Sequence, residues 1–175
     1  MTTSTNELAE QIATAAQRTR TTIAVAESLT SGQIAAALGA APDAGAWFHG
    51  GVVAYSRHLK HHVLDVPDGP VISRPAAETM AHTVRSMTDA TLTVAVTGVG
   101  GPDPQDGEPP GTVWFAIAVD HNPVTMHRYF QGEPSEILQQ TITQALELLL
   151  TAINNPTQLV SLSGSDDIAN TRFTP

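Results

Sequence analysis

The sequence predicts an α/β fold of three layers, α/β/α, in which helices cover both faces of a mixed β-sheet. Two observations predict this class. Short runs rich in β-branched residues alternate with longer stretches whose apolar residues recur at helical spacing. Two further strands then follow each other with only a short turn between them, which indicates an antiparallel hairpin added to parallel strands.

The first three elements are predicted at residues 6–17, 21–26 and 34–38. Apolar residues at helical spacing predict the first helix, and β-branched residues predict a buried strand after it. An Ala-rich stretch predicts the second helix. Thr30 and Gln33 have the spacing of a capping box, so we expect their side chains to satisfy free amides at the start of that helix.

The next three elements are predicted at residues 47–55, 56–63 and 75–87. The first is an apolar run whose paired glycines, Gly50 and Gly51, indicate a bulge or a close backbone approach within a strand. Ser56 is a suitable cap for the short helix that follows. Pro75 is typical of the first turn of a longer helix.

The last four elements are predicted at residues 91–96, 112–119, 124–130 and 135–149. The first three are strands, and residues 120–123 are expected to form the turn between the second and the third. The fourth is a helix with an apolar stripe, which we expect Ser135 to cap. We expect residues 1–155 to form a single domain and residues 156–175 to form a polar tail that is open to disorder.

Composition excludes several function classes. The net charge of −9 and the lack of a basic patch argue against nucleic-acid binding. No window approaches the ~18 apolar residues of a membrane span, and the first residues do not resemble a secretory signal, so we expect a cytoplasmic protein without membrane contact. With no cysteine there is no thiol catalysis and no disulfide framework.

Ser28 is the first candidate for chemistry, because it lies between a predicted strand and a predicted helix. Free amides at a helix start can stabilise an oxyanion or bind a phosphate beside such a hydroxyl. A serine in this position still needs a base before it becomes a nucleophile. Hydroxyls before helices are also common caps, and the residues alone favour that simpler role for Ser28, Thr30 and Ser31.

Lys60 is the candidate base. A lysine can act as a general base at neutral pH only if its pKa is lowered from the usual value of ~10.4. Burial or neighbouring cations lower the pKa, and Arg57 is close enough in sequence to contribute. A solvated lysine on a helix surface is the alternative interpretation. Tyr55 can donate a proton or form a hydrogen bond to a leaving amide. A tyrosine at the end of a strand more often has only a packing role against neighbouring residues.

Two further motifs are less informative. His58, His61 and His62 share a helical face, but a zinc or nickel site normally needs three or four well-placed ligands, so we expect no metal. The glycine-rich stretch 97–102 follows a strand but is neither a dinucleotide-binding fingerprint nor a P-loop. It is either a plain loop or a place where a substrate ring or ribose approaches the backbone.

Four stretches taken together resemble the CinA C-terminal family of nicotinamide-nucleotide amidohydrolases. They occur in family order at residues 26–32, 46–56, 95–102 and 110–116. The resemblance implies a compact, self-associating α/β domain without a cofactor, which acts on a small pyridine nucleotide. The implied reaction converts nicotinamide mononucleotide to nicotinic acid mononucleotide and ammonia, a step of NAD recycling through the pyridine nucleotide cycle.

The resemblance also implies roles for individual residues. Ser28 would attack the carboxamide, and Lys60 would take its proton directly or through Tyr55. Amides near residues 30–32 would hold the oxyanion. The implied substrate-binding residues are Glu27, Thr30, Ser31, Gly32, Gly51, Ser56, Thr97, Gly98, Gly101 and Thr112.

Some positions depart from the family pattern. Leu29 and Ser31 replace a cysteine and a glycine, Glu108 stands where a lysine is frequent, and the arginines expected after the last strand are missing from residues 131–140. Without them a strong phosphate contact is lost. Two alternatives therefore stay open: an amidase for an unphosphorylated or differently charged amide, and a nucleotide-binding module without catalysis.

Overall fold

The computed structural model describes residues 3–119 and 123–163. Five strands form one sheet in the order β2-β1-β3-β4-β5. Their bounds are β1 Ile23–Glu27, β2 Phe48–Val53, β3 Leu92–Gly98, β4 Thr112–Ala118 and β5 Val124–Tyr129. The helices are α1 Thr5–Thr19, α2 Gln33–Gly39, α3 Arg57–His62, α4 Arg74–Thr88, α5 Pro134–Asn154 and α6 Pro156–Ser163.

The sheet is mixed, as predicted. Strand β1 pairs in parallel with β2 and β3, whereas β3, β4 and β5 pair in antiparallel order. The parallel pairs need crossovers, which α2 and α4 supply, and the antiparallel pairs do not. The carboxyl ends of β1, β2 and β3 consequently meet at one edge of the sheet.

Two apolar layers cover the sheet and confirm the predicted α/β/α class. On one face Ile23 and Val25 of β1 pack in a core shared with residues of α1, α2 and α5. On the other face Ala24 and Ala26 pack in a core shared with α4, including Met80. Because β1 and β3 are buried along their whole length, their sequences are mostly apolar, and their polar residues Glu27, Thr93 and Thr97 are themselves buried.

The paired glycines of β2 confirm both features that the sequence predicts there. The register of β1 against β2 shifts by one residue, from Ile23 opposite Phe48 to Ala24 opposite Gly50. A side chain at Gly51 would collide with the carbonyl oxygen of Val25. Glycine is therefore required where the two backbones approach each other.

Three details differ from the sequence prediction. Residues 156–163 form α6 rather than an irregular tail, because Pro156 is tolerated at a first helical position and Leu159 is buried in the core. Helix α5 begins one residue earlier than expected, and Glu133 and Glu136 form its capping box in place of a Ser135 cap. Residues 164–175 and most of the predicted 120–123 turn lie outside the described residues. No helix in the described part of the chain could span a bilayer.

Candidate active site

A cleft of about 120 Å³ opens at the edge of the sheet where the parallel strands end. In open α/β sheets this edge is the usual place for a ligand site. The segments after β1, β2 and β3 all contribute to it. The lining residues are Ser28, Leu29, Tyr55, Gly98, Val99, Gly100, Gly101, Asp103 and Gln105.

Ser28 is the first residue after β1 and lines this cleft with 5% of its surface exposed. Its carbonyl oxygen accepts a hydrogen bond from the Ser31 amide, which closes the turn into α2. The turn thus holds the hydroxyl where a ligand in the cleft can reach it.

Glu27, the last residue of β1, caps α2 from the interior of the protein. It is fully buried, and its carboxylate accepts hydrogen bonds from the amides of Gly32 at 3.0 Å, Ile34 at 3.1 Å and Ala35 at 2.7 Å. The predicted capping box of Thr30 and Gln33 is therefore wrong: the N-cap of α2 is Gly32, without any side-chain cap of its own. A carboxylate from the preceding strand satisfies these donors instead.

This cap changes where an oxyanion can be held. The Gly32 amide is used by Glu27 and the Ser31 amide by the Ser28 carbonyl, so neither is free for a ligand. Within the described chain, the amides of Leu29 and Thr30 form no hydrogen bond. Of the backbone amides of residues 30–32 that were predicted to donate to an oxyanion, only the Thr30 amide is free, and the Leu29 amide is a further free donor.

Ser31 and Gly32 both have left-handed backbone conformations, with φ of 53° and 91°. The Ser31 side chain is exposed and its hydroxyl donates to the Leu29 carbonyl at 3.3 Å. It lies outside the cleft, so it does not obstruct a substrate there. The cost of this substitution is backbone strain, because a residue with a Cβ occupies a conformation that favours glycine.

Lys60 is buried, with 1% of its surface exposed, and it is the only lysine in the sequence. Its ammonium group donates a hydrogen bond to the Tyr55 carbonyl oxygen at 3.3 Å. Burial, followed by the Arg57 cation, lowers the pKa of Lys60, and Asp106 opposes both, so that the pKa lies at about 8. The alternative of a solvated surface lysine is therefore wrong, and the amine is half neutral near pH 8.

Tyr55 lines the same cleft as Ser28 and is the hydrogen-bond partner of Lys60. Its side chain is 68% exposed and lines the cleft together with Ser28, while its carbonyl oxygen accepts the bond from Lys60. No direct hydrogen bond joins Ser28 to Lys60 in this structure, and the partner of the amine is the Tyr55 carbonyl oxygen. The lysine thus lies behind the cleft wall, one residue away from the surface that Ser28 shares.

Only some of the predicted substrate-binding residues line the cleft. Gly98 and Gly101 line the cleft, as do Asp103 and Gln105, which sequence reasoning missed. They follow β3 in the same loop, so the rule that places sites at strand ends could have found them. The predicted residues outside the cleft lining are Glu27, Thr30, Ser31, Gly32, Gly51, Ser56, Thr97 and Thr112.

Most of those outside the lining have structural roles instead. The Ser56 hydroxyl accepts from the Leu59 amide at the start of α3, as a cap. The Thr97 hydroxyl is buried and donates to the Val71 carbonyl at 2.6 Å. Thr112 is buried, and its carbonyl oxygen accepts from the Val99 amide. Thr30 differs, because its buried hydroxyl has no partner among the described residues.

The histidines of α3 are engaged in local contacts. His58 and His62 stack at 4.1 Å between ring centroids, and His62 Nδ1 is bonded to the His58 carbonyl. His61 Nδ1 is bonded to the carbonyl of Val66. Over residues 3–119 and 123–163, no group of three histidines or carboxylates could hold a metal ion.

The fold and the cleft define an α/β protein whose candidate site combines a serine after β1 with a buried lysine after β2. The sequence model of the CinA C-terminal domain matches residues 5–153. The chain therefore belongs to the CinA C-terminal domain family.

Known proteins agree with this membership. A protein from Geobacillus kaustophilus, named as competence-damage inducible, is 46% identical over 113 residues, which are 61% of this chain and 27% of that protein. A CinA-like protein from Frankia casuarinae is 38% identical over 133 residues, or 73% of this chain and 31% of its own length. The chain thus spans about a third of these curated relatives.

A crystal structure of a CinA superfamily protein from Klebsiella pneumoniae has the same fold. It superposes with a TM-score of 0.83 at 30% sequence identity, covering 86% of this chain and 98% of that one. None of these names states a reaction.

Proposed function

We propose that the chain is an amidohydrolase that converts nicotinamide mononucleotide to nicotinic acid mononucleotide and ammonia. The observation that carries the proposal is the buried Lys60, whose pKa of about 8 leaves a substantial neutral fraction near physiological pH. A buried lysine whose pKa is lowered in this way suits a general base. Its hydrogen-bond partner, Tyr55, shares the cleft wall with Ser28.

The reaction proceeds by acyl transfer. The Ser28 hydroxyl oxygen attacks the carboxamide carbon, and its proton passes to neutral Lys60 directly or through the Tyr55 hydroxyl. The protonated lysine then returns a proton to the departing amino group, and ammonia leaves an ester on Ser28. Water, deprotonated by the same lysine, cleaves that ester and releases the carboxylic acid.

The amides of Leu29 and Thr30 are the donors that remain for the developing oxyanion. They lie in the turn that also carries Ser28, and Glu27 fixes the far end of that turn by occupying the first amides of α2. Rigid donors of this kind stabilise the charge of the transition state without reorganisation. Glu27 therefore acts as an anchor and does not touch the substrate.

Ammonia release from nicotinamide mononucleotide tests the proposal. We expect Ser28→Ala to lower kcat by roughly 10³-fold or more, because the nucleophile is lost. Ser86→Ala, an exposed serine on α4, is the matched control and should retain full activity. Turnover by Ser28→Ala at the wild-type rate would remove this serine from the mechanism.

The cleft also supports a second candidate, an amidase for an unphosphorylated pyridine carboxamide such as nicotinamide riboside. Among the described residues no arginine or lysine lines the cleft, and Asp103 adds a carboxylate to it. A carboxylate attracts the positively charged pyridinium ring and repels a phosphate. The loss of family arginines from residues 131–140 points in the same direction.

The ratio of kcat/KM values for the two substrates separates these candidates. If the riboside is the better substrate, Asp103→Asn should shift the preference toward the phosphorylated compound. Asp68→Asn makes the same charge change at an exposed position outside the cleft and should leave the ratio unchanged. A strong preference for the mononucleotide in the wild type would reject the second candidate.

A further inference from the structure

The loop between β3 and β4 contains a tight hairpin, and its first residue, Gln105, lines the cleft. Gln105 and Glu108 exchange two backbone hydrogen bonds, of 3.0 and 2.9 Å, around Asp106 and Gly107. Both central residues have positive φ, 55° and 82°. An Asp-Gly pair in this conformation is a favoured two-residue turn, so the sequence itself fixes the position of Asp106.

Asp106 uses both carboxylate oxygens to hold this hairpin against two other segments. One oxygen lies 2.6 Å from the Arg57 guanidinium, at the first residue of α3. The other accepts a hydrogen bond from the Val71 amide at 2.8 Å. Arg57 in turn donates to the Gly69 carbonyl at 2.8 Å. The Asp106 side chain is 15% exposed and the Arg57 side chain 47%, so the ion pair is shielded from solvent on its carboxylate side only.

The same pair lies beside Lys60. Arg57 and Lys60 are three residues apart on α3 and therefore share a helical face. The charged group that acts on Lys60 from α3 is Arg57, the one from the hairpin is Asp106, and the segment after β2 presents the Tyr55 carbonyl. Neither Arg57 nor Asp106 lines the cleft, so neither is placed to touch a substrate.

We propose that Arg57 and Asp106 are positioning residues, which clamp the β3–β4 hairpin to α3 and set the electrostatic environment of Lys60. The clamp fixes Gln105, the neighbour of Asp106, in the cleft wall. It also places one cation and one anion beside the buried amine, with opposite effects on its protonation. The consequence for turnover rests on the proposed function, whereas the consequence for Lys60 does not.

Substitution of the two partners distinguishes this role from a merely structural one. In Asp106→Asn the anion is removed and the cation stays, so the pKa of Lys60 should fall below about 8. In Arg57→Gln the cation is removed and the anion stays, so the same pKa should rise. If the pair served only to keep water from Lys60, either substitution would expose the amine to solvent, and the pKa of Lys60 would rise in both variants.

The pKa of Lys60 can be measured without any turnover. Protein labelled with ¹³C-lysine gives a single lysine signal, because the sequence has one lysine, and its Cε chemical shift follows protonation. Arg74→Gln removes a cation from the exposed Arg74–Glu78 pair on α4 and is the matched control that should leave the titration unchanged. Arg57→Lys keeps the positive charge but adds a second lysine signal, so it is compared by kcat/KM at pH 7, which should remain close to the wild type.

Opposite shifts in Asp106→Asn and Arg57→Gln support the proposal, and shifts in one direction or no shift overturn it. In the activity assay at pH 7 we expect kcat/KM to rise roughly threefold in Asp106→Asn and to fall roughly threefold in Arg57→Gln, since the neutral fraction of the base changes. If the titrations shift in opposite directions while kcat/KM stays constant, the clamp stands and the catalytic role of Lys60 fails.

Discussion

The turn after β1 and the loop after β3 both form the cleft, but different interactions fix them. The turn is short, and the buried Glu27 carboxylate holds it through three backbone amides. The loop is longer, and it is fixed at its start by the close backbone contacts of Gly98, the last residue of β3, and at its tip by the Asp106 ion pair. The turn carries the candidate nucleophile, whereas the loop brings Asp103 into the cleft.

The two segments have different tasks in the site. Chemistry needs groups held within a fraction of an ångström, which a buried cap with three bonds provides. Substrate recognition tolerates more variation in the positions of the contacting groups, and binding residues often lie on loops that a rigid scaffold supports. Substitutions in the turn should therefore act on kcat, and substitutions at Asp103 should act on the choice of substrate.

Glu27→Ala should have the largest effect, because it breaks the anchor of the turn. Three amides at the start of α2 lose their acceptor in a buried site. We expect a loss of about 4 kcal/mol in the free energy of unfolding, measured by urea denaturation. Glu10→Ala, an exposed glutamate on α1, is the control and should change stability little. A loss below about 1 kcal/mol in Glu27→Ala would contradict the role of Glu27 as the anchor.

Gly98→Ala tests the loop in the same way. Its new Cβ would lie 2.5 Å from the Thr112 carbonyl oxygen and 2.9 Å from Val113 Cα, both of which belong to the backbone of β4. Because that backbone cannot move without breaking the sheet, we expect a loss of about 3 kcal/mol.

Gly100→Ala is the matched control for this substitution. Its Cβ would meet only the Leu29 side chain, at 3.8 Å, which is ordinary contact. The variant should fold with nearly wild-type stability. Since Gly100 lines the cleft, the added methyl group should appear in KM and not in the urea midpoint. Equal destabilisation by both substitutions would show that the loop is not fixed at Gly98.

Lys60 gives a pH dependence of stability that can be isolated by substitution. Its pKa is about 8 in the folded protein and ~10.4 in the unfolded chain, so the unfolded state binds more protons between these values. Stability from this group is therefore lowest below pH 8 and rises as pH increases toward 10. Relative to Lys60→Met, the unfolding free energy of the wild type should rise by about 2 kcal/mol from pH 7 to pH 10. A constant difference between the two proteins would mean that the lysine is solvated.

Ser31→Gly should have the smallest effect and the opposite sign. The residue has a φ of 53°, which costs a residue with a Cβ about 1 kcal/mol. Removing its side chain loses one partly buried hydrogen bond of 3.3 Å to the Leu29 carbonyl. We expect a gain of up to about 1 kcal/mol in thermal or urea unfolding, with kcat unchanged because Ser31 lies outside the cleft. A stability loss would show that the left-handed backbone is not strained.

The strands and the main helices followed from the sequence because their apolar patterns are local. The β-branched run of β1 and the helical spacing in α1 and α5 need no knowledge of the rest of the chain. The cap of α2 could not be found in this way. Glu27 reaches back across the turn from the preceding strand, whereas the [ST]-x-x-[EQ] pattern at Thr30 looked sufficient by itself.

The candidate site was accessible from the sequence to the extent that strand ends define it. Ser28, Tyr55 and two loop glycines are in the cleft, but the burial of Lys60 depends on how α3 packs. Lys60 is the only lysine of the chain, which distinguishes it from the other charged residues in the sequence. Asp103 and Gln105 were not predicted as cleft residues, because a loop rich in Pro, Gly and Asp has no sequence pattern that indicates which residues line a cleft.

The pH dependence of kcat/KM for nicotinamide mononucleotide tests the central claim most directly, since it reports the pKa of the base in the free enzyme. With neutral Lys60 as the base for Ser28, kcat/KM should rise with pH and level off above a midpoint near 8. A rate that stays constant from pH 6.5 to pH 9.5, in a protein that still depends on Ser28, would contradict it.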